Sequence, residues 1–290
     1  MSDHQDITYP WAVLKLSDQI FAISVKHVET MVLLPKVVPV PNTPDFIRGV
    51  IDLRGKVFPL IDLRKRLGIP SIEEEAKAFV EKMEAAKTAH KNWLQELENS
   101  VRENRPFTLA TDPHQCAFGK WYDSVTTDDL FLATLLKRIE APHQQIHALA
   151  LKVERLKETK DFEAIDELLA NAKRTVFVEI MRHFDTVKTS FLTDRKEIAV
   201  AVHTQEKSFA LAVDSVETVE SFAEDKIEKF SDQLHSSTER PVPISIGKNQ
   251  ENKTVLLIED IAALMDDSIS MDLAAFQNAA KAGAARGTGD

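Results

Sequence analysis

Phe21-Ala22-Ile23-Ser24-Val25-Lys26-His27-Val28-Glu29-Thr30-Met31 and Phe209-Ala210-Leu211-Ala212-Val213-Asp214-Ser215-Val216-Glu217-Thr218-Val219 are two versions of one segment. Six of the eleven positions are identical, where background usage gives roughly one. A second pair follows each copy. Lys56 to Asp62 (K-V-F-P-L-I-D) matches Lys253 to Glu259 (K-T-V-L-L-I-E), and both end in a carboxylate ahead of a short helix. Buried strands share Val, Ile and Phe for packing reasons, but Glu-Thr and the terminal carboxylates are not core residues. One β unit therefore occurs twice, and a long stretch of a different kind lies between the copies. Two such units closing on each other suggest paired small barrels, which hide strand edges. The expected fold is α+β: two small β-barrel subdomains interrupted by an antiparallel helical bundle.

Glycine and proline locate the joints. Neither occurs between Ser71 and Arg105, nor from His143 to Arg240, and breaker-free stretches are where long helices can form. Before the first stretch, Trp11–Leu16 and Ile20–Val25 flank a turn at Ser17-Asp18-Gln19. Ile47–Leu53 and Lys56–Ile61 flank Arg54-Gly55, a hairpin signal, because glycine takes the positive φ that a tight turn needs. Asp62 is placed to cap a short helix through Leu67, ended by Gly68 and Pro70. Three apolar stripes follow at helical spacing. The first runs Phe79, Met83, Ala86, His90, Leu94, Leu97, Val101. The second runs Leu132, Leu136, Ile139, His143, Ile146, Ala150, Val153, with Pro142 inside it expected to kink the helix. The third runs Ile165, Leu169, Ala172, Val176, Ile180, Phe184, Val187. A short helix around Cys116–Tyr122 sits between the first two stripes, and the set suggests an antiparallel bundle over 72–192. Strands return at Ile198–Val202, Ser208–Val213 and Thr254–Ile258. The Ala/Gly-rich tail, 267–290, has no stripe and is expected to be disordered.

The 290 residues exceed one ordinary core, since domains average about 100–200 residues. Apolar residues make up 43%, which excludes global disorder. With 36 Lys+Arg against 46 Asp+Glu the formal charge is −10. Such a chain is a poor binder of nucleic acid or of an anionic membrane through its overall field. Cys116 is the single cysteine, so an intrachain disulfide framework is excluded. Neither a signal peptide nor an apolar run of about 18 residues is legible. The expectation is a soluble cytoplasmic protein that is not an enzyme.

Four residues of the helical stretch stand apart: His90, Cys116, His143 and His147. His143 and His147 are four apart and project from one helix face. Three imidazoles and a thiolate are a borderline-soft set that suits tetrahedral zinc, whereas calcium or magnesium would require oxygen donors. The alternative is ordinary: hydrogen-bonded core histidines and a small buried thiol. Against it, two imidazoles at i, i+4 on one apolar face both need partners there. His114 and His183 are possible substitutes as ligands. A di-iron bundle would require several carboxylates on the inward faces, and the three stripes carry none.

Asn42-Thr43-Pro44, Phe46-Ile47-Arg48-Gly49-Val50, Leu53-Arg54-Gly55 and Pro59-Leu60-Ile61-Asp62-Leu63-Arg64 resemble the signature of CheW coupling proteins, scaffolds that join bacterial chemoreceptors to the histidine kinase CheA. The resemblance covers 8–70 and 196–266. It implies two five-stranded barrels, chemoreceptor tips and CheA as partners, and a partner-binding role for Arg54. One position departs: the family usually carries an acidic residue where Thr30 stands, and here Glu29 comes one position early. His90-x-x-Trp93, Cys116-x-Phe118-Gly119-x-Trp121 and His143-x-x-x-His147 resemble the chemoreceptor zinc-binding (CZB) domain. That resemblance covers about 75–190. It implies one Zn²⁺ held by His90, Cys116, His143 and His147, a possible homodimer, and a response to zinc or to hypochlorous acid. Together the two imply a chemotaxis adaptor with an inserted sensor.

Overall fold

The computed structural model describes residues 10–127, 129–193, 195–222, 226–229, 242–249 and 251–265. The expected disordered tail, 267–290, lies outside the described residues. The chain divides into two compact units: the segments up to Ser71 and from Lys196 form one, and Ile72–Arg195 the other.

The first unit interleaves the two copies of the repeat. The first copy supplies β1 (Pro10–Leu16), β2 (Gln19–Ser24), β3 (Val28–Leu33), β4 (Ile47–Leu53) and β5 (Lys56–Asp62). The second supplies β6 (Ile198–His203), β7 (Ser208–Val213), β8 (Ser215–Ser221), the two-residue β9 (Glu228–Lys229), β10 (Ile244–Lys248) and β11 (Thr254–Ile258). One sheet runs β8-β1-β2-β11-β10-β9 and the other β3-β6-β7-β5-β4. Each copy thus contributes its third strand to the sheet begun by the other copy, and its last hairpin likewise.

The registers repeat across this exchange. Ala22 pairs with Leu257 and Ile23 with Ile258; at the equivalent positions Ala210 pairs with Leu60 and Leu211 with Ile61. Even the irregularities coincide. Glu29 is the extra residue where β3 pairs with β6, and Glu217 the extra residue where β8 pairs with β1. A bulge leaves its residue outside the ladder and re-aims it, and Glu29 meets Lys56 at 2.9 Å.

Closed barrels were expected, and the sheets are open: among the described residues, first and last strands do not pair in either. The exchange supplies the reason. Each sheet is completed by strands from the other copy rather than by curling onto its own first strand. The sheets instead share one core, in which Leu14, Phe21 and Ile23 meet Ile61, Phe209 and Leu211. The opposite faces are buried too, around Phe58 and Leu60 on one sheet and Val255 and Leu257 on the other. Burial on both faces explains why the strands read as nearly unbroken apolar runs.

Arg54 and Gly55 both take positive φ at the β4–β5 turn, as a two-residue hairpin of this twist requires. Asp62 caps α1 (Leu63–Arg66), its carboxylate accepting from the Lys65 N–H at 3.0 Å. In the second copy the cap falls one residue later than the repeat suggests: Asp260 accepts from Ala262 N–H, while Glu259 accepts from Ser245 Oγ. Two arginines of α1 tie the early segment to the late one. Buried Arg64 donates from Nε and Nη2 to both oxygens of Asp214, and Arg66 donates to the carbonyls of Ala263 and Leu264.

The second unit contains α2 (Ile72–Arg102), α3 (Ala117–Ser124), α4 (Leu130–Glu158), α5 (Phe162–Arg174) and α6 (Val176–Thr193). The third stripe, expected as one helix, is two. Thr175 leaves the helical region at φ −116°, ψ −94°, and both its N–H and its hydroxyl turn back to the Asn171 carbonyl. The second stripe continues through Pro142 as one helix. The start of α2 and the end of α6 lie together: Phe79 stacks on Phe191 at 3.8 Å, and Glu75 pairs with Arg195 at 2.9 Å. Both chain connections therefore leave this unit at one end, as an insertion within a β module requires. Among the described residues, no helix is long and apolar enough to cross a membrane.

The Arg64–Asp214 pair yields the first prediction. Removing Asp214 leaves the buried Arg64 guanidinium without its carboxylate, at a cost of about 3 kcal/mol. Asp214→Ala should lower the urea-unfolding free energy by that order, and an unchanged midpoint would contradict the role given to the pair.

Candidate metal centre

The apolar stripes that form the bundle carry His90, His143 and His147 inward, and all three are at least 95% buried. Cys116 arrives from a different direction as the N-cap of α3, its Sγ accepting from the Gly119 N–H at 3.1 Å. One ligand atom from each of the four lies within 4.8 Å of all the others. Cys116 Sγ is 3.3 Å from His143 Nε2. His114 and His183 are elsewhere: His114 pairs with Asp123 at 2.9 Å, and His183 with Glu179 at 3.6 Å. Arg54 is exposed at the β4–β5 hairpin of the other unit.

The hydrogen bonding separates a metal site from a set of core histidines. His90 Nδ1 is 2.7 Å from the Ala86 carbonyl, and His147 Nδ1 is 3.0 Å from the Ala110 carbonyl. A carbonyl only accepts, so each Nδ1 carries the proton and each Nε2 presents a lone pair. Both Nε2 atoms are buried and have no hydrogen-bond partner among the described residues. Orphaned buried acceptors are costly, and two of them converging beside a thiol and a third imidazole are accounted for by a cation. The donor set fits zinc: Zn–N bonds near 2.0 Å and Zn–S bonds near 2.3 Å put tetrahedral donors about 3.5 Å apart, close to the Cys116–His143 separation. No carboxylate joins the cluster among the described residues, which counts against a di-iron site. Four protein donors also leave no open position for a catalytic water.

Electrostatics hold the imidazoles ready. Burial, reinforced by the neighbouring histidines, pushes the His143 pKa down to about 3, and burial takes that of His147 to about 4. Desolvation lowers His90 as well. Neutral imidazole is the form that binds metal. Burial raises the Cys116 thiol, opposed by the backbone N–H groups of Gly119 and Phe118, so without a cation the thiol keeps its proton.

Several contributors escape sequence reading. Ala86 and Ala110 act through their backbone carbonyls, which residue identity does not reveal. Trp93 Nε1 donates to the same Ala110 carbonyl at 2.8 Å, so one oxygen anchors both an indole and a ligand imidazole. Phe118 lies edge-on to His143, with centroids 5.2 Å apart. Gly119 has a steric reason: a Cβ there would sit 1.8 Å from the Pro113 carbonyl oxygen. Only glycine lets the first turn of α3 approach this loop, and Cys116 caps that turn.

A two-copy β module carrying a helical unit with a buried His3Cys cluster describes the class. Two family models match stretches of the chain. The CheW-like domain matches residues 11–84, and the chemoreceptor zinc-binding domain matches residues 90–153. Each match spans about a quarter of the chain. A chemotaxis protein CheW from Thermotoga maritima is 33% identical over 66 residues, 23% of this chain and 44% of the relative. The CheW of Bacillus subtilis is 44% identical over 61 residues, 21% of this chain and 39% of the relative. The chain thus matches less than half the length of these curated relatives. The solved scaffolding protein TtCheW from Thermoanaerobacter tengcongensis aligns at a TM-score of 0.43 and 15% identity, over 93% of this chain and 97% of its own.

Two predictions follow from the site. Gly119→Ala must displace the Pro113 loop or α3, and should weaken zinc binding by at least about tenfold, the scale of losses from supporting residues; competition with a chelator reads it. The second concerns the metal-free chain. Folded His143 and His147 hold pKa values far below the ~6.5 of an unfolded histidine. The folded state then binds fewer protons, so stability is full above pH ~6.5 and falls as pH drops from there towards 4 and 3. Thermal unfolding across that range should show a declining Tm, which saturating zinc opposes.

Proposed function

We propose that this protein is a chemotaxis signalling adaptor that couples chemoreceptors to the histidine kinase CheA, acts in the cytoplasm, and carries a zinc-binding sensor unit. The coupling module comprises the segments 8–70 and 196–266, the sensor 72–192, and the metal ligands are His90, Cys116, His143 and His147. The observation that carries the reading is the pair of buried, unpartnered Nε2 atoms beside Cys116 and His143. The matches to CheW-like and CZB domains support the division of roles. Arg54, exposed at its hairpin, is the residue proposed to meet receptor or kinase.

Zinc bound here would act as a structural crosslink and hold the sulfur as thiolate. The chain's own residues determine what that crosslink governs. Cys116 is the cap of α3, so the sulfur holding the ion also accepts the Gly119 N–H. Phe118 on the same turn packs against His90, His143 and Phe184, and Trp121 packs against Phe79 near the start of α2. Losing the sulfur as a ligand, by oxidation or by falling zinc, loosens a helix that touches both the cluster and α2. A thiolate is the oxidisable form of cysteine, so zinc level and hypochlorous acid are both inputs for this sensor. An adaptor in which zinc is purely structural would lack this response.

The purified full chain should contain one zinc, and His143→Ala should lose it. Receptor–CheA complex formation should differ between the zinc-loaded and zinc-depleted protein, with Cys116→Ser resembling the depleted form. Complexes identical in all three states would remove the sensor and leave a coupling protein with a structural metal.

A further inference from the structure

The ligand cluster is buried, so an ion needs a route to it. A small cleft of about 10 Å³, room for about one water-sized sphere, is lined by His143. The unpartnered Nε2 atoms of His90 and His147 belong to the same cluster as His143. Its walls include His114, Asp123, Tyr122 and Glu140. Of these, His114, Asp123 and Glu140 are exposed.

His114 is set up as a ligand although it is not one of the four. Its Nδ1 lies 2.9 Å from Asp123 Oδ2 and 3.1 Å from Oδ1. A carboxylate only accepts, so Nδ1 donates, and the same carboxylate raises the His114 pKa; Nε2 makes no hydrogen bond among the described residues and is open to a cation that displaces its proton. An imidazole whose far nitrogen donates to a carboxylate is the arrangement that orients metal-ligating histidines and strengthens their basicity. The surrounding field has the right sign. The charges of Asp112 and Asp123 reach Cys116, and that of Glu140 reaches His114 and Tyr122. Lys120 on α3 and Lys137 and Arg138 on α4 are exposed opposing charges.

We propose that this cleft is the entry port of the metal centre: His114, backed by Asp123 and assisted by Glu140, holds a divalent cation in passage and delivers it to Cys116 and His143. The inference rests on reading the buried cluster as a zinc site. As the ion reaches Cys116, the thiol proton leaves to water. A group that contacts the ion only in transit changes the rates of entry and exit by the same factor and leaves the equilibrium constant where it was. Attraction by the carboxylates also makes entry faster at low ionic strength.

The test is stopped-flow uptake of Zn²⁺ by the full metal-free chain, and its release to a fluorescent chelator, for wild type, His114→Gln, Asp123→Asn and Glu140→Gln. Far-UV circular dichroism checks the fold of each variant. The port predicts that both rates fall together, by about tenfold for His114→Gln and Asp123→Asn and less for Glu140→Gln, with a shallower salt dependence of uptake; focusing fields change on-rates by about 10–1000-fold. Glu140 lies on the exposed face of α4, so its variant keeps the test valid if the other two disturb the loop. Unchanged rates in variants that still bind zinc would overturn the port and leave the buried site standing. Faster release with lost affinity would make these residues part of the resident site and overturn it too. Failure of the wild-type chain to bind zinc would remove the buried site, and the port with it.

Discussion

Two imidazole rings are each held by one nitrogen and left with the other bare inside an apolar bundle. That constraint organises the helical unit. The Ala86 and Ala110 carbonyls fix the tautomers of His90 and His147, burial keeps the rings neutral, and no group among the described residues answers Nε2. Without a cation the arrangement is a standing cost. With one, the same burial strengthens every contact to the ion, because the low dielectric that penalises an unpaired acceptor rewards a paired one. A set of hydrogen-bonded core histidines would have filled these positions differently.

The β unit answers to a different constraint. A sheet must protect its edges or recruit another strand, and here each copy of the repeat completes the other. The coincidence of the bulges at Glu29 and Glu217 shows how closely the copies follow one plan. It also gives physical content to the departure at Thr30. Glu29 occupies the bulge, so it leaves the strand ladder at a point where an in-register residue would stay within it, and it meets Lys56. The exchange makes the early and late segments mutually dependent for a core, and the arginines of α1 bind them across the helical insertion.

Much of this was legible in the sequence, and the exceptions have identifiable physical causes. The duplication, the hairpin at Arg54-Gly55 and the cap at Asp62 were readable because each depends on side-chain type at a fixed spacing. So was the candidate ligand set, whose four side chains the structure brings to one place. Closed barrels were not a sound inference: repetition shows that two copies exist, and says nothing of which sheet the third strand joins. The third apolar stripe gave no sign of the break at Thr175, because the stripe keeps its phase across it. The supporting shell was out of reach where it consists of backbone atoms, as at Ala86 and Ala110. The pairing of His114 with Asp123 lies nine residues apart across a helix start, and no periodicity marks it.

X-ray absorption at the zinc edge of the loaded full-length chain tests the central claim most directly. The account predicts one zinc per chain in a four-coordinate shell of three nitrogens near 2.0 Å and one sulfur near 2.3 Å, with the sulfur absent from the spectrum of Cys116→Ser. A shell of nitrogen and oxygen alone in the unaltered protein would contradict it.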